Sequence, residues 1–310
     1  PVRIAGSSTL APFSRAVAET LEVRRGTPFV LHQTGTGAGI GVFCDGVSGI
    51  DIVNASRRIR PGEIERCRES GIDGLLEFPV GRDGIVLAQS SRQKPMRLSL
   101  VDLYYALAEE TPVAADDCRM ERNRRRTWHD ANPALPRRRL EVFGPPHTSG
   151  TRDSFIELAL VQGARQVPCI RAALDRDPAA PEGMVRLRED GIWIDAGEND
   201  DAMAAALAHI ETAVGVIGFS HVRRGGHAIE ALSIDGITPS EATIGDGTYP
   251  LSREMWFYVS ADAYDSSDYL HVYVDEFRDD DAIGAHGYLT QLGLVQSNDG
   301  AGVDGRRLRH

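Results

Sequence analysis

Val2-Arg3-Ile4-Ala5-Gly6-Ser7-Ser8-Thr9-Leu10-Ala11-Pro12-Phe13 is the stretch that decides the fold. An apolar strand-like run stops at a glycine, three hydroxyl residues turn the chain, and a helix is expected from about Pro12 to Val23. Proline is tolerated in a first helical turn, and Phe13, Val17 and Leu21 recur at four-residue spacing to make a buried face. A helix start leaves about four backbone N–H groups unpartnered and carries about half a positive charge, so Ser and Thr hydroxyls placed there add donors to an anion site. A second turn of this kind, Thr148-Ser149-Gly150-Thr151-Arg152, follows the strand-like Glu141-Val142-Phe143-Gly144 and leads into a helix marked by Phe155, Leu158 and Ala159. Two such turns suit one small tetrahedral oxyanion.

Working outward, short apolar runs alternate with helical stretches over residues 2–80, the pattern of a parallel sheet with crossover helices. Phe29–His32 and Ile50–Val53 read as strands, Thr34–Gly39 as a loop before a helix that reaches Phe43, and Pro61-Gly62-Glu63 as a helix start with acid in its first turn. Further strands are expected at Gly84–Ala88, Val214–Ser220 and Met255–Val259. Residues 111–139, rich in arginine, read as a solvated insertion, and Asp279-Asp280-Asp281 as a solvated helix cap. There is no internal repeat.

The chain of 310 residues, 42% hydrophobic and 25% charged, is large enough for two domains, and no stretch approaches the roughly 20 apolar residues of a membrane span. Any secretion leader is expected to have been removed, because the chain opens directly on an apolar strand. A net charge of −11 argues against nucleic acid as a partner, since that binding rests on many Lys and Arg contacts to phosphates. It does not argue against a phosphate ion, which local donors can hold. The four cysteines show no metal-ligand spacing; of the three possible disulfide connectivities, Cys44 with Cys67 and Cys118 with Cys169 keeps each bridge inside one domain, and four reduced thiols are the alternative.

Four loops stand at strand-to-helix junctions, residues 6–10, 34–39, 54–57 and 148–152, and ligands of open parallel sheets bind outside the carboxyl ends of the strands. Loop 34–39 has neither the Walker nor the Rossmann pattern. Ser8, Thr9, Thr36, Ser56, Ser149 and Thr151 supply hydroxyls, and Arg57 and Arg152 supply charge. Phosphate keeps a proton at neutral pH, so a carboxylate aimed at that proton repels fully ionised sulfate; Asp83, in Gly81-Arg82-Asp83-Gly84, is the first candidate. No cofactor and no metal are called for.

The stretches Ala5 to Phe13, Thr34 to Gly39, Asp51 to Arg57, Asp83 to Ile85, Ser149 to Asp153 and Ile244 to Arg253, in this order, resemble the phosphate-binding receptors of bacterial phosphate ABC transporters, which are type 2 periplasmic binding proteins. The resemblance implies an α/β chain of two lobes, 1–82 with 232–310 and 83–231, each a mostly parallel sheet flanked by helices, joined by a two-strand hinge and closing on dehydrated phosphate. It implies a monomeric periplasmic or extracellular protein whose partners are inorganic phosphate and a membrane permease. It places Ser8, Thr9, the Leu10 N–H, Thr36, Ser56, Ser149, Gly150 and Thr151 around the ligand, and Cys44 and Cys67 fall where some members have cysteines. Departures are Arg57 where some members are acidic, Thr148 where many have Asp, Pro145 where some have Arg, Arg82 where an aromatic is frequent and Gly41 where lysine is frequent. The competing readings are an oxyanion sensor or scaffold of altered preference, and a phosphate-ester hydrolase using Ser149 or Ser8. The hydrolase lacks a Gly-x-Ser-x-Gly elbow, and only His147 adjoins a hydroxyl loop.

Overall fold

In the computed structural model, which describes all residues except 8, 47, 115–116, 148, 175–184, 198, 225–227, 298–304 and 309–310, the opening pattern folds as strand, turn and helix. Ser8 and Thr148 therefore lie outside the described residues. The first ninety residues alternate β1 (Val2–Gly6), α1 (Ala11–Arg25), β2 (Phe29–Gln33), α2 (Thr36–Cys44), β3 (Ile52–Ala55), α3 (Pro61–Glu69) and the long β4 (Leu75–Ser90). There follow β5 (Arg97–Leu98), α4 (Leu100–Leu107), β6 (Glu110–Ala114), β7 (Asp117–Arg122), α5 (Trp128–Ala131) and β8 (Val142–Gly144). Beyond β8 a continuous helical stretch comprises α6 (Gly150–Phe155), a π-helical turn (Ile156–Val161) and α7 (Gln162–Gln166), with α8 (Pro168–Leu174) after it. The rest is β9 (Trp193–Asp195), α9 (Asp200–Leu207), β10 (Val214–Gly218), α10 (Phe219–Arg224), β11 (Ile229–Ala231), β12 (Ser233–Ile234), α11 (Glu241–Gly245) and β13 (Ser252–Ser260), then α12 (Ala261–Ser266), α13 (Asp268–Glu276), α14 (Asp280–Ile283), α15 (Tyr288–Gln291) and β14 (Arg306–Leu308).

Two compact units share the chain: Pro1–Asp83 with Ile244–Gly247 and Arg253–His310, and Gly84–Thr243 with Thr248–Ser252. Residues 232–243, assigned to the first lobe from sequence, pack with the second unit.

In the first unit β1 lies parallel between β2 and β3, with Ile4 opposite both Leu31 and Ile52, and β13 runs antiparallel beside β3. The period-four face of α1, Phe13, Val17 and Leu21, is buried with Ile4, Ile52, Phe78 and Phe257, and α13 adds Tyr273. Gly26 ends α1 in the left-handed conformation, φ 69°, and its N–H reaches the Glu22 carbonyl at 2.8 Å. Asp279 caps α14 by accepting the Asp281 N–H at 2.8 Å, and the acidic run is exposed.

The loop expected over Thr34–Gly39 is shorter than read, because α2 already begins at Thr36. Gly37 and Gly39 are poor helix formers, so tertiary contact overrides propensity here. A Cβ on Gly39 would stand 2.4 Å from Gly6 Cα, and one on Gly6, whose φ is 124°, would stand 2.1 Å from the Asn54 carbonyl oxygen. Only glycine lets β1, α2 and the end of β3 approach this closely.

At the start of α3, Glu63 accepts the Arg60 backbone N–H at 2.8 Å and both ends of the Arg57 guanidinium at 2.9 and 2.8 Å. Burial opposes ionisation of Glu63, but the Arg57 and Arg60 hydrogen bonds and charges outweigh it and hold the carboxyl below its ordinary value.

In the second unit the later half of β4 pairs antiparallel with β10, which is parallel to β8, as β8 is to β9. The strand expected from Gly84 starts earlier, so Asp83 sits inside continuous β4. Gly81, φ 139°, lets Arg82 exchange backbone hydrogen bonds with Val295 at 2.7 and 2.8 Å while the strand continues. Most described residues of 111–139 are exposed, as a solvated insertion would be, but the stretch also carries structure. β6 and β7 form a two-stranded ribbon, and Trp128 beyond it is fully buried. Arg188, only 2% exposed, donates to the carbonyls of Ala106, Asn123 and Arg125 at 3.0–3.1 Å and forms a fork on Asp190, so its charge satisfies backbone that the arginine-rich stretch leaves inside.

Cys44 and Cys67 form the expected disulfide. Cys118 and Cys169 do not pair: Cys118 is an exposed thiol on the ribbon strand β7, whereas Cys169 on α8 is buried against Tyr104, Ala164 and Val167.

Gly39→Ala is expected to destabilise the chain by about 1–3 kcal/mol in urea titrations, because backbone rather than a flexible side chain must yield. Glu63→Gln is expected to cost about 0.5–1 kcal/mol at neutral pH. A lowered folded pKa contributes stability that is present above the carboxyl's ordinary range and lost as the pH falls through the folded value, so the difference between wild type and Glu63→Gln should fade in acid. A gap that persists in acid would assign the effect to packing.

Candidate functional site

The carboxyl ends of β1 and β3 and the start of α2 meet through backbone bonds. Ser7 N–H donates to the Asn54 carbonyl at 2.8 Å, and the Thr34 and Gly35 N–H groups share the Gly6 carbonyl at 3.0 and 2.9 Å. Buried Asn54 accepts from Ser14 Oγ of α1 at 2.8 Å, tying the helix to the strand end. Three of the four loops picked from sequence are thus brought to one place in the first unit.

Two pairs of functional groups result. Thr36 Oγ1 accepts the Ser56 backbone N–H at 3.1 Å and lies 3.1 Å from Ser56 Oγ. One hydroxyl hydrogen closes that contact, so the pair keeps one further hydroxyl hydrogen with no acceptor among the described residues. Thr9 Oγ1 accepts from Arg253 Nη2 at 2.9 Å in a buried contact, with Arg253 only 8% exposed. Leu10, fully buried, precedes α1 with helical φ and ψ and makes no side-chain cap, so the first backbone N–H groups of that helix are not consumed by a capping side chain.

Of the two arginines expected to supply charge, Arg57 is committed to Glu63. Arg253, the last residue of the turn-rich Gly245–Arg253 stretch, was not among the expected site residues; its place at the head of β13 brings a buried guanidinium to Thr9 across 244 positions of chain. The sequence signals were the turn itself, which marks an abrupt strand entry, and the place of Arg253 at the end of the resembling stretch Ile244 to Arg253. Asp83 is half-buried at the end of the first unit and already engaged.

In the second unit the described part of the predicted hydroxyl turn, Ser149 to Arg152, leads into α6. Ser149, buried, caps α6, its Oγ accepting the Thr151 N–H at 3.2 Å, and its own N–H reaches the Pro146 carbonyl at 2.9 Å. Gly150 and Thr151 open the helix and Arg152 follows. Its guanidinium, 12% exposed, lies 5.8 Å from the Trp193 ring centroid and 3.5 Å from the exposed Glu189 carboxylate. Gly144 leaves room for that ring, since a Cβ there would stand 2.0 Å from it. Among the described residues no group of His, Cys, Asp and Glu could hold a metal ion, and no helix is long and apolar enough to cross a membrane.

Hydroxyl and backbone N–H donors at a helix start suit a small anion. The sequence model of the PBP superfamily domain matches residues 1–281. The chain is similar to protein SphX of Synechococcus elongatus, 27% identical over 265 residues, covering 83% of this chain and 67% of that protein. It is similar also to the phosphate-binding protein PstS of Staphylococcus saprophyticus, 24% identical over 265 residues, covering 82% and 68%. Among solved structures, a "possible phosphate binding protein" of Planctomyces limnophilus superposes with a TM-score of 0.72 at 22% identity, covering 97% of this chain and 94% of that one. An ABC-type phosphate transport receptor of Vibrio cholerae gives 0.57 at 19%, covering 89% and 98%. With mixed sheets flanked by helices, parallel in β2–β1–β3 and β10–β8–β9 and antiparallel where β4 and β13 join them, as in type 2 periplasmic binding proteins, the chain belongs to the PBP superfamily.

Proposed function

We propose that this chain is a non-enzymatic receptor that binds inorganic phosphate and delivers it to the membrane permease of a phosphate ABC transporter, as a monomer in the periplasm or outside the cell. The observation that carries the reading is the Thr36 and Ser56 pair, held at the end of a parallel sheet with a hydroxyl hydrogen to spare beside the first turn of α2. An oxyanion is the ligand such donors serve. The names of the curated relatives and the phosphate transport receptor among the fold neighbours support phosphate as that oxyanion.

The donors we assign are Ser8, Thr9, the Leu10 N–H, Thr36 and Ser56 from the first unit, and Ser149, Gly150 and Thr151 from the second. Arg253 and Arg152 supply charge, while Arg57 serves by fixing Glu63 and the third loop. Ser149 Oγ has one hydrogen bond among the described residues, from a backbone N–H, which suits a capping donor better than a base-activated nucleophile. Asp83 is the carboxylate we assign to the phosphate proton, and so to rejection of sulfate.

Thermal unfolding of phosphate-stripped protein at neutral pH should shift upward with phosphate and not with sulfate. A ligand at 100 times its dissociation constant adds about 2.7 kcal/mol. The shift should vanish in Ser149→Ala with Thr151→Ala, and Thr36→Ala should weaken affinity about 10- to 100-fold, the cost of a hydrogen bond to a charged group. No shift with any oxyanion would refute the receptor reading. Asp83→Asn is expected to bind sulfate nearly as well as phosphate in competition titrations; undiminished selectivity would assign the proton acceptor elsewhere.

A further inference from the structure

Within the second unit a cleft of 840 Å³ lies between the segment Gln93–Arg97 and the segment after α5, with Glu211 and Thr212 at its rim. Its walls are mixed: Met96 and Leu135 are buried, Pro95 and Pro136 are exposed, and three cations, Lys94, Arg97 and Arg138, line it. The residues expected from sequence to bind the ligand take no part in it.

Arg138 is the informative member. It is half-buried, and the side-chain partners of its guanidinium are both uncharged: Nη2 donates to Gln89 Oε1 at 2.9 Å and to Met96 Sδ at 3.3 Å. A thioether is a weak acceptor. Nε is buried with no acceptor, and among the described residues no carboxylate pairs with Arg138, Lys94 or Arg97. Desolvation is also the cause that lowers the Arg138 pKa, with no acidic neighbour raising it. The one acid on the lining, Glu211, accepts from Gln93 Nε2 at 3.0 Å and faces Arg92 at 3.7 Å. A guanidinium stays charged at any physiological pH, and leaving it partly desolvated without a counter-charge is costly. In a chain of net charge −11, three unpaired cations around one cleft are against the overall balance.

We propose that this cleft is a second ligand site, separate from the phosphate donors, for an organic anion that carries a carboxylate or phosphate-ester head and an apolar body. The head takes the place of the missing counter-ion at Arg138, Arg97 and Lys94, since a planar fork favours oxyanions that accept two bonds. The body rests on the proline and methionine walls. A volume of this size belongs to sites for organic molecules, and inorganic phosphate would leave most of it unfilled.

The test is calorimetric titration of the intact chain, held in saturating inorganic phosphate, with phenyl phosphate and with benzoate. The two probes separate the ester head from the carboxylate. A saturable one-to-one isotherm with either probe is expected, weakening as sodium chloride is raised, unaffected by Ser149→Ala with Thr151→Ala, and at least tenfold weaker in Arg138→Gln. Because Arg138 also holds Gln89, Lys94→Gln with Arg97→Gln provides a second variant at exposed positions, in which the same weakening is expected. Absence of saturable heat with both probes, or unchanged affinity in the double variant, would overturn the proposal. Since the titration is run with inorganic phosphate present and on the Ser149 and Thr151 variant, its failure and a failure of the receptor reading are told apart.

Discussion

The constraint on which the first unit depends is the approach of three backbones: Gly6 of β1, Gly39 of α2 and Asn54 of β3. No side chain fits between them, since added Cβ atoms would stand 2.1–2.4 Å from main-chain atoms. The meeting of the loops at the ends of β1 and β3 follows from that contact. It sets the start of α2 beside the end of β3, so Thr36 and Ser56 meet, and it places the Ser7 N–H on the Asn54 carbonyl. Preorganisation of this kind spares a binding protein the entropy of ordering its donors one by one.

Charge around this frame is divided with economy. Arg57, which stands next to Ser56, spends its fork on Glu63 and so stabilises the start of α3. Arg253 arrives from the far end of the chain to meet Thr9 in a buried contact. The donor set near the loops is therefore mainly neutral, hydroxyls and backbone N–H groups, with one cation in each unit close to a hydroxyl turn: buried Arg253 in the first and half-buried Arg152 against Trp193 in the second. A strongly acidic chain can still hold an anion, because such donors act over a few ångströms while net charge acts over a Debye length of about 8–10 Å or more.

The second unit shows how an arginine-rich stretch can be structural. Arg188 and Asp190 neutralise each other inside, and the guanidinium serves three backbone carbonyls that would otherwise be buried without donors. Arg125 lies over the Tyr105 ring with its charge centre 4.7 Å from the centroid. These contacts draw part of the stretch 111–139 inward, while Arg119, Arg122, Arg124 and Arg126 stay exposed as composition suggested.

What the sequence determined by itself was local: the helix face of Phe13, Val17 and Leu21, the hydroxyl turns before α1 and α6, the Ser149 cap, the acidic cap at Asp279, and the α/β class that alternation of strands and helices imposes. These are readable because each depends on residues within about one helical turn of one another. The tertiary structure decided what depends on distant partners. It made Gly37 and Gly39 helical, ran β4 through Asp83, formed no disulfide between Cys118 and Cys169, gave Arg57 to Glu63 and brought Arg253 to Thr9. Propensity and spacing carry no information about which backbone, thiol or carboxylate will be packed alongside, and in each of these cases the packed neighbour settled the outcome.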